Sequence, residues 1–166
     1  MIMEKVTINR LTGTMKGISN FVPLDAVNKK VSDIRGRIAN QYIQIELLIN
    51  AYLINYFAIK NKHNDFLVKF LCDDYCSVGL KINVLEKILS QEKMYKGFYN
   101  DLRRLNNIRN IAVHSPPQSI IGPLVLHSKK MKPENLEDLE KEFVKLYSKI
   151  FSPLFQEIDR IIKENH

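Results

Sequence analysis

Arg109, Asn110 and His114 are the residues of this sequence whose types and spacing are best suited to chemistry. Asn110 and His114 lie four residues apart, so a helix places them on one face. Arg109 flanks that face, at about 140° from His114. A histidine in the last turn of a helix feels the negative end of the helix dipole, which favours its protonated form. Since the planar fork of arginine suits phosphate oxygens, these residues form a candidate site for proton transfer near a phosphate.

The alternative interpretation is that Arg109 and His114 serve only the helix that carries them. Basic side chains in a last turn are ordinary partners of the unpaired carbonyl groups at a helix C-terminus. The pattern alone leaves both interpretations open.

The helix that carries these three residues is predicted from apolar residues at steps of three and four. It should end near His114, because Pro116 disfavours helical geometry at the residue before it. Its predicted buried face consists of Tyr95, Phe98, Leu102, Leu105, Ile108 and Ala112.

Further helices are predicted on the N-terminal side of this segment. A long amphipathic helix should run from Asp25, as its N-cap, to about Lys60, and Asp65 and Ser77 should cap two shorter helices. The predicted buried faces are Ile34, Ile38, Tyr42, Ile45, Ile49, Tyr52 and Tyr56 in the long helix, and Leu80, Val84, Leu85, Ile88 and Leu89 in the helix after Ser77.

The last predicted helix begins at Pro133, which fits a first helical turn and is followed by acidic residues. Pro153 should kink this helix or split it. Its predicted buried face is Leu136, Leu139, Phe143, Leu146, Ile150, Leu154, Ile158 and Ile161.

These elements predict an all-α fold, an up-and-down helical bundle of four to five helices. An irregular or β-hairpin-like excursion is expected at about 115–132, where "SIIG" and "LVLHS" could form two short strands. Residues 1–24 are predicted to be an N-terminal arm, and residues 25–166 a single helical domain.

Composition and charge narrow the classes of function. The chain has 25 Lys and Arg against 18 Asp and Glu, a net charge of +7 that favours a polyanion or an acidic surface as partner. No apolar run approaches the roughly 20 residues of a membrane span, and the N-terminus lacks a signal-peptide pattern. Two cysteines do not make a disulfide framework. We therefore expect a soluble cytoplasmic protein.

The segment "RNIAVH" resembles the motif of the HEPN superfamily, in which Arg and His are separated by four to six residues and a polar residue, often Asn, follows the Arg. The setting is similar as well. The motif ends a late bundle helix, after "ANQYIQIELLINAYLINYF" and "LKINVLEKIL" and before "LEKEFVKLYSKI". The likeness covers roughly residues 30–162 as architecture, but only Arg109, Asn110 and His114 as motif. Pro116 stands where one group of HEPN toxins carries Tyr.

This resemblance implies metal-independent RNA cleavage that needs no cofactor and leaves a 2′,3′-cyclic phosphate. His114 would act as general base or acid, and Arg109 would stabilise charge on the phosphoryl oxygens. Asn110 would orient the histidine or donate to phosphate. HEPN proteins dimerise so that two motifs line one cleft, which implies a homodimer here.

The family context also implies a toxin–antitoxin or phage-defence system, with an antitoxin or regulatory protein as partner. The alternative function is that of a non-catalytic HEPN-like helical module that binds RNA, a nucleotide or a protein partner.

Glu46 is a further candidate, because it lies in the middle of the long apolar helix and a buried carboxylate needs a partner. It could pair with Arg109 or His114 and support them. The alternative is a solvated residue at the boundary of the core.

Arg103 and Arg104 precede the motif and, with Lys93 and Lys96, predict a basic helix. This helix could contact an RNA backbone, or it could be an ordinary solvated face.

The cysteines and the tyrosines are interpreted as structural. Cys72 and Cys76 lack two further ligands at a metal-binding spacing, so we predict no metal site and two core cysteines. Tyr42, Tyr52 and Tyr56, at helical spacing, are interpreted as core or dimer interface.

Overall fold

The computed structural model of the chain describes residues 24–73, 75–89, 94–115, 125–126 and 134–164. Within these ranges five α-helices pack together, which confirms the predicted all-α bundle. The helices are α1 (Leu24–Phe57), α2 (His63–Phe66), α3 (Val78–Ile88), α4 (Phe98–His114) and α5 (Leu136–Glu164). The predicted N-terminal arm lies outside the described residues, except for Leu24.

Helix α1 buries the stripe that its sequence predicts, from Ile34 to Tyr52. Two details differ from the prediction. Asp25 lies inside the first turn and is therefore not the N-cap, since the helix begins at Leu24. Tyr56 is 49% exposed, because it lies in the last turn of α1, beyond the packed part of the stripe.

Residues 60–71 reverse the chain direction after α1. A 3₁₀ turn (Lys60–Lys62) leads into α2, and a π-helical turn (Leu67–Leu71) follows it. The prediction that Asp65 caps a helix here is wrong, because Asp65 lies within α2 and the N-cap is Lys62. The aromatic rings of Phe57 and Phe66 lie 6.3 Å apart, so this segment packs back against the end of α1.

Ser77 caps α3 as predicted, since its Oγ accepts a hydrogen bond of 3.3 Å from the backbone N–H of Leu80. The predicted buried face of this helix is partly wrong. Lys81 and Ile82 are buried together with Leu85 and Leu89, whereas Leu80 is exposed and Val84 and Ile88 are half-buried. Apolar residues lie almost all round this helix, so their spacing does not select one face.

Helix α4 ends at His114, as the proline pair after it predicts. Ser115 adopts an extended conformation, with φ −84° and ψ 132°, which is the geometry favoured before a proline. At its other end, α4 is preceded by Gly97 with φ 93°, a left-handed conformation that suits glycine. The buried residues of α4 are Phe98, Tyr99, Leu102, Leu105, Ile108, Ile111 and Ala112.

Helix α5 begins at Leu136, three residues later than predicted. Asn135 supplies the start signal, because its Oδ1 accepts hydrogen bonds from the backbone N–H groups of Glu137 and Asp138, at 2.8 and 3.4 Å. Pro153 lies inside the helix without splitting it. Its predicted apolar face is buried, except that Leu146 is half-buried and Glu157 joins the buried set.

Two short strands lie between α4 and α5. Strand β1 (Val125–Leu126) pairs antiparallel with β2 (Glu134–Asn135), with Val125 opposite Asn135. The predicted segment "LVLHS" thus contributes one strand. Its partner directly precedes α5, where the sequence predicted the first helical turn, and the predicted strand "SIIG" lies outside the described residues.

Contacts between side chains establish the directions of the helices. Arg37 and Gln44 of α1 bond to Glu140 and Tyr147 of α5, so these two helices run parallel. Tyr42 bonds to Asn106, and Arg35 bonds to Ser115 at the end of α4, so α4 runs antiparallel to α1. Arg103 of α4 bonds to Glu86, and the Tyr99 hydroxyl donates to the carbonyl of Leu89, so α3 runs antiparallel to α4.

Candidate functional site

The last two turns of α4 carry the three candidate residues at the surface of the bundle. Asn110 and His114 are exposed, and Arg109 is half-buried. Ile108, Ile111 and Ala112 of the same turns are buried, and they hold this part of α4 against the core.

Arg109 and Asn110 are bonded to each other. The Nη1 of Arg109 donates a hydrogen bond of 2.9 Å to the Oδ1 of Asn110. The guanidinium carbon of Arg109 also lies 5.7 Å from the centroid of the Tyr42 ring, at the distance of a cation–π contact. Arg109 is therefore held by a neighbour on α4 and by an aromatic ring of α1.

Tyr42 forms the floor beneath Arg109, with only 1% of the residue exposed. Its hydroxyl donates a hydrogen bond of 2.7 Å to the Oδ1 of Asn106. Burial raises the pKa of Tyr42, and the nearby charge of Glu46 raises it further, against a smaller opposing effect of Arg109. The phenol therefore stays protonated and keeps its role as a donor at neutral pH.

The sequence prediction did not include Asn106 and treated Tyr42 only as core or dimer interface. One signal was present in the sequence. Asn106, Asn110 and His114 follow one another at steps of four, so they form one polar stripe along α4. This stripe could have indicated that a residue of another helix forms a hydrogen bond with Asn106. It could not have identified Tyr42, which lies 64 residues away.

His114 is the last residue of α4, as predicted, and it is exposed. Within the described ranges, no hydrogen bond or ion pair joins it to Arg109 or Asn110. The backbone N–H of Ser115 donates to the carbonyl of Ile111 at 3.0 Å, and the carbonyl of Ser115 accepts from the guanidinium of Arg35. The helix end beside His114 is thus tied to α1.

Glu46 has an ionic partner that the sequence prediction did not name. Its Oε1 lies 2.8 Å from the Nζ of Lys81, and the side chain of Lys81 is 3% exposed. The structure therefore assigns Glu46 to a link between α1 and α3. It lies one turn after Tyr42 on α1, and its charge acts on the Tyr42 hydroxyl rather than forming a pair with Arg109 or His114.

Arg103 and Arg104, the predicted RNA-binding residues, both contact carboxylates of other helices. Arg103 donates to Glu86 and, at 3.1 Å, to Asn83 of α3. Arg104 forms a two-point contact with Glu142 of α5, at 2.8 and 2.7 Å. These guanidinium groups connect helices of the bundle.

The other two members of the predicted basic helix do not belong to α4. Lys93 lies outside the described residues, and Lys96 precedes the first residue of α4.

The structure describes both cysteines and one of the three remaining histidines. Cys72 is exposed and Cys76 is half-buried against the core, so the prediction of two core cysteines is wrong for Cys72. The Nε2 of His63 lies 3.0 Å from the carbonyl oxygen of Ala58. Among the residues that the structure covers, no group of three His, Cys, Asp or Glu side chains could hold a metal ion.

One cavity of the described part of the chain lies away from the candidate site. A cavity of about 550 Å³ lies at the start of α4 and is lined by Glu86, Tyr95 and Lys96, among others. His114 lies at the opposite end of that helix.

None of the helices in the described part of the chain is long and apolar enough to cross a membrane.

Comparison with protein-family models, curated proteins and solved structures finds no match to this chain. The case for a function therefore depends on the geometry of the site. A fixed cation, an amide beside it and an exposed imidazole one turn further along α4 can bind an anion and exchange a proton.

Proposed function

We propose that the protein is an HEPN-like, metal-independent endoribonuclease. The observation that supports this most directly is the arrangement on α4: Arg109 is bonded to Asn110 and supported by Tyr42, and His114 is exposed one turn further on. These are the residue types that phosphate chemistry needs, and Asn110 and His114 are both exposed on one face of α4.

The proposed reaction is an internal transfer at one phosphate. The ribose 2′-oxygen attacks the adjacent phosphorus, and the bond from phosphorus to the 5′-oxygen breaks. A base takes the proton of the 2′-hydroxyl, and an acid supplies a proton to the leaving 5′-oxygen. His114 would fill one of these roles, and Arg109 would stabilise the charge on the non-bridging oxygens.

This chemistry needs both a base and an acid, whereas the motif supplies one histidine per chain. We therefore propose a homodimer in which two copies of the site line one cleft.

We also propose that the protein acts in the cytoplasm, as part of a toxin–antitoxin or phage-defence system. An antitoxin or regulatory protein would control the nuclease.

The direct test is RNA cleavage by the purified protein in the presence of EDTA, with analysis of the product ends. We expect 2′,3′-cyclic phosphate and 5′-hydroxyl ends, and we expect His114→Ala to lower the rate at least about a hundredfold. The matched control is His63→Ala, because His63 lies at the start of α2 and contacts Ala58 instead. If His114→Ala cleaves as fast as the parent protein, the proposal is wrong.

The second candidate function is a non-catalytic helical module that binds RNA, a nucleotide or a protein partner. The observation in its favour is that Arg109 already contacts Tyr42 and Asn110, as a purely structural arginine would. Under this alternative, His114→Ala lowers the melting temperature and changes no activity. Under the first proposal the melting temperature stays nearly constant, because His114 is exposed.

A further inference from the structure

We infer that Tyr42 is a positioning residue that holds the guanidinium of Arg109 in the orientation needed to meet a phosphate. The inference rests on the proposed function. It goes beyond the motif, because Tyr42 belongs to a different helix and does not reach the surface where RNA would bind.

The ring of Tyr42 is held in place by two kinds of contact. The residue is buried, and its hydroxyl is bonded to Asn106 at 2.7 Å, so the ring is held both by packing and by a directional contact. Asn106 lies one turn before Asn110 on α4. The ring is therefore held against the same helix that carries the candidate site.

The guanidinium of Arg109 is restricted by Tyr42 and Asn110. An arginine side chain has several rotatable bonds, and fixing them costs conformational entropy. The ring of Tyr42 restricts the guanidinium on one side, and Asn110 accepts one of its hydrogen bonds. A guanidinium has five donor N–H bonds, so donors are left for a phosphate after the bond to Asn110. Much of the ordering is thus complete before a substrate arrives.

Tyr42 differs from a tyrosine that only packs in the core. A tyrosine that only filled space would still need a partner for its buried hydroxyl, which Asn106 supplies, but it would not need the contact with Arg109. Tyr52 provides the comparison, because it is also buried on α1 at 2% exposure but lies ten residues further along the helix. Removing either ring should create a cavity, whereas only the removal of Tyr42 should release Arg109.

The test compares Tyr42→Leu and Tyr42→Phe with the control Tyr52→Leu in the full chain. The first readout is the order of the Arg109 Nε–H bond, measured by NMR relaxation without any RNA. We expect a large loss of order in Tyr42→Leu, a smaller loss in Tyr42→Phe, which keeps the ring, and none in Tyr52→Leu.

The second readout is RNA cleavage. We expect Tyr42→Leu to lower kcat roughly tenfold to a hundredfold, since small displacements of a catalytic group cost about this much. Tyr52→Leu should lower the melting temperature by a comparable amount and leave kcat unchanged. Tyr42→Phe is the variant that decides the question if Tyr42→Leu does not fold, because it preserves the volume of the core.

The outcomes separate this inference from the proposed function. If Arg109 keeps its order in both Tyr42 variants, the positioning role is overturned, whatever the activity. If the parent protein cleaves no RNA, the proposed function fails, and the NMR measurement still decides whether Tyr42 orders Arg109. An equal loss of kcat in Tyr42→Leu and Tyr52→Leu would also overturn the inference, because it would reduce the effect to lost stability.

Discussion

Lys81 carries a charge inside the bundle, and Glu46 is the carboxylate that compensates it across 2.8 Å. A lone buried charge is costly, whereas a paired one is tolerated. Glu46 keeps 28% of its side chain exposed, so the pair lies at the edge of the core and solvent still reaches the acid. The link joins α1 to α3 close to the floor of the candidate site.

We expect Glu46→Gln to lower the free energy of unfolding by roughly 2–3 kcal/mol, because Lys81 is left without a counter-charge. The double variant Glu46→Leu with Lys81→Met should recover most of this loss, because no charge is then buried. Urea denaturation of the variants at neutral pH measures both effects. A single variant as stable as the parent would show that the pair contributes little.

At the scale of single residues, the sequence predicted the candidate site but not its support. Arg109, Asn110 and His114 lie in one helix, so their relation follows from helical geometry alone. Tyr42 and Lys81 bond to residues of other helices, and no periodic pattern indicates which side chain of another helix will meet them. For this reason the sequence predicted Glu46 as a partner of Arg109 or His114. In the structure Glu46 forms an ion pair with Lys81 instead.

Helix α4 is fastened to its neighbours on two sides by arginine–carboxylate contacts. Arg103 bonds to Glu86 of α3, and Arg104 bonds to Glu142 of α5. The hydrogen bond from Arg104 lowers the pKa of Glu142, and the hydrogen bond from Arg103 lowers the pKa of Glu86. These contacts hold the helix that carries the candidate site.

The lowered pKa of Glu142 makes the contribution of this contact dependent on pH. The stability it gives is present above the ordinary glutamate pKa of about 4.3, and it is lost as the pH falls through the lower value in the folded protein. We expect Arg104→Gln to cost about 0.5–1 kcal/mol near pH 7 and less near pH 3. Urea unfolding at the two pH values measures the difference.

The matched control for this prediction is Lys141→Gln, since Lys141 pairs with Asp138 on the same helix and both side chains are highly exposed. It should change stability little at either pH. A loss in Arg104→Gln that is as large near pH 3 as near pH 7 would contradict the assignment to the charge pair.

At the scale of elements, the quality of the prediction depended on how clearly each helix separates its two faces. Helix α1 alternates apolar and polar residues with helical spacing, and its buried stripe was predicted from Ile34 to Tyr52. Helix α3 has apolar residues on most sides, so the prediction of its buried face was partly wrong. A pattern of apolar residues also cannot predict that a lysine is buried. The start of α5 was misplaced because Asn135, not Pro133, begins it.

The whole molecule carries a formal charge of +7, which favours binding of a polyanion such as RNA. The position of the cations matters more than their number. Arg103 and Arg104 neutralise carboxylates of the protein itself, whereas Arg109 has an amide and a ring as its described contacts. Arg109 is thus a cation of the candidate site whose described contacts leave donors for a phosphate.

Under the proposed function, the position of Arg109 predicts how RNA affinity depends on salt. For a non-cleavable 2′-O-methyl RNA, the logarithm of the affinity should fall linearly with the logarithm of the salt concentration. Arg109→Ala should reduce the steepness of this line by about one phosphate contact, and Arg103→Gln should leave it unchanged. Fluorescence anisotropy over a series of salt concentrations gives the slopes. Equal effects of the two substitutions would contradict the assignment.

The parallel packing of α1 and α5 has a consequence for the order in which the protein forms. Arg37 meets Glu140, and Gln44 meets Tyr147, across 103 residues in each case. Such distant partners close a long loop, which slows folding and requires that both ends have been made. Ribosomes synthesise α1 first. Its apolar stripe therefore stays partly uncovered until α5 has been made and packs against it. The stripe that includes Tyr42 is thus fully covered only late in synthesis.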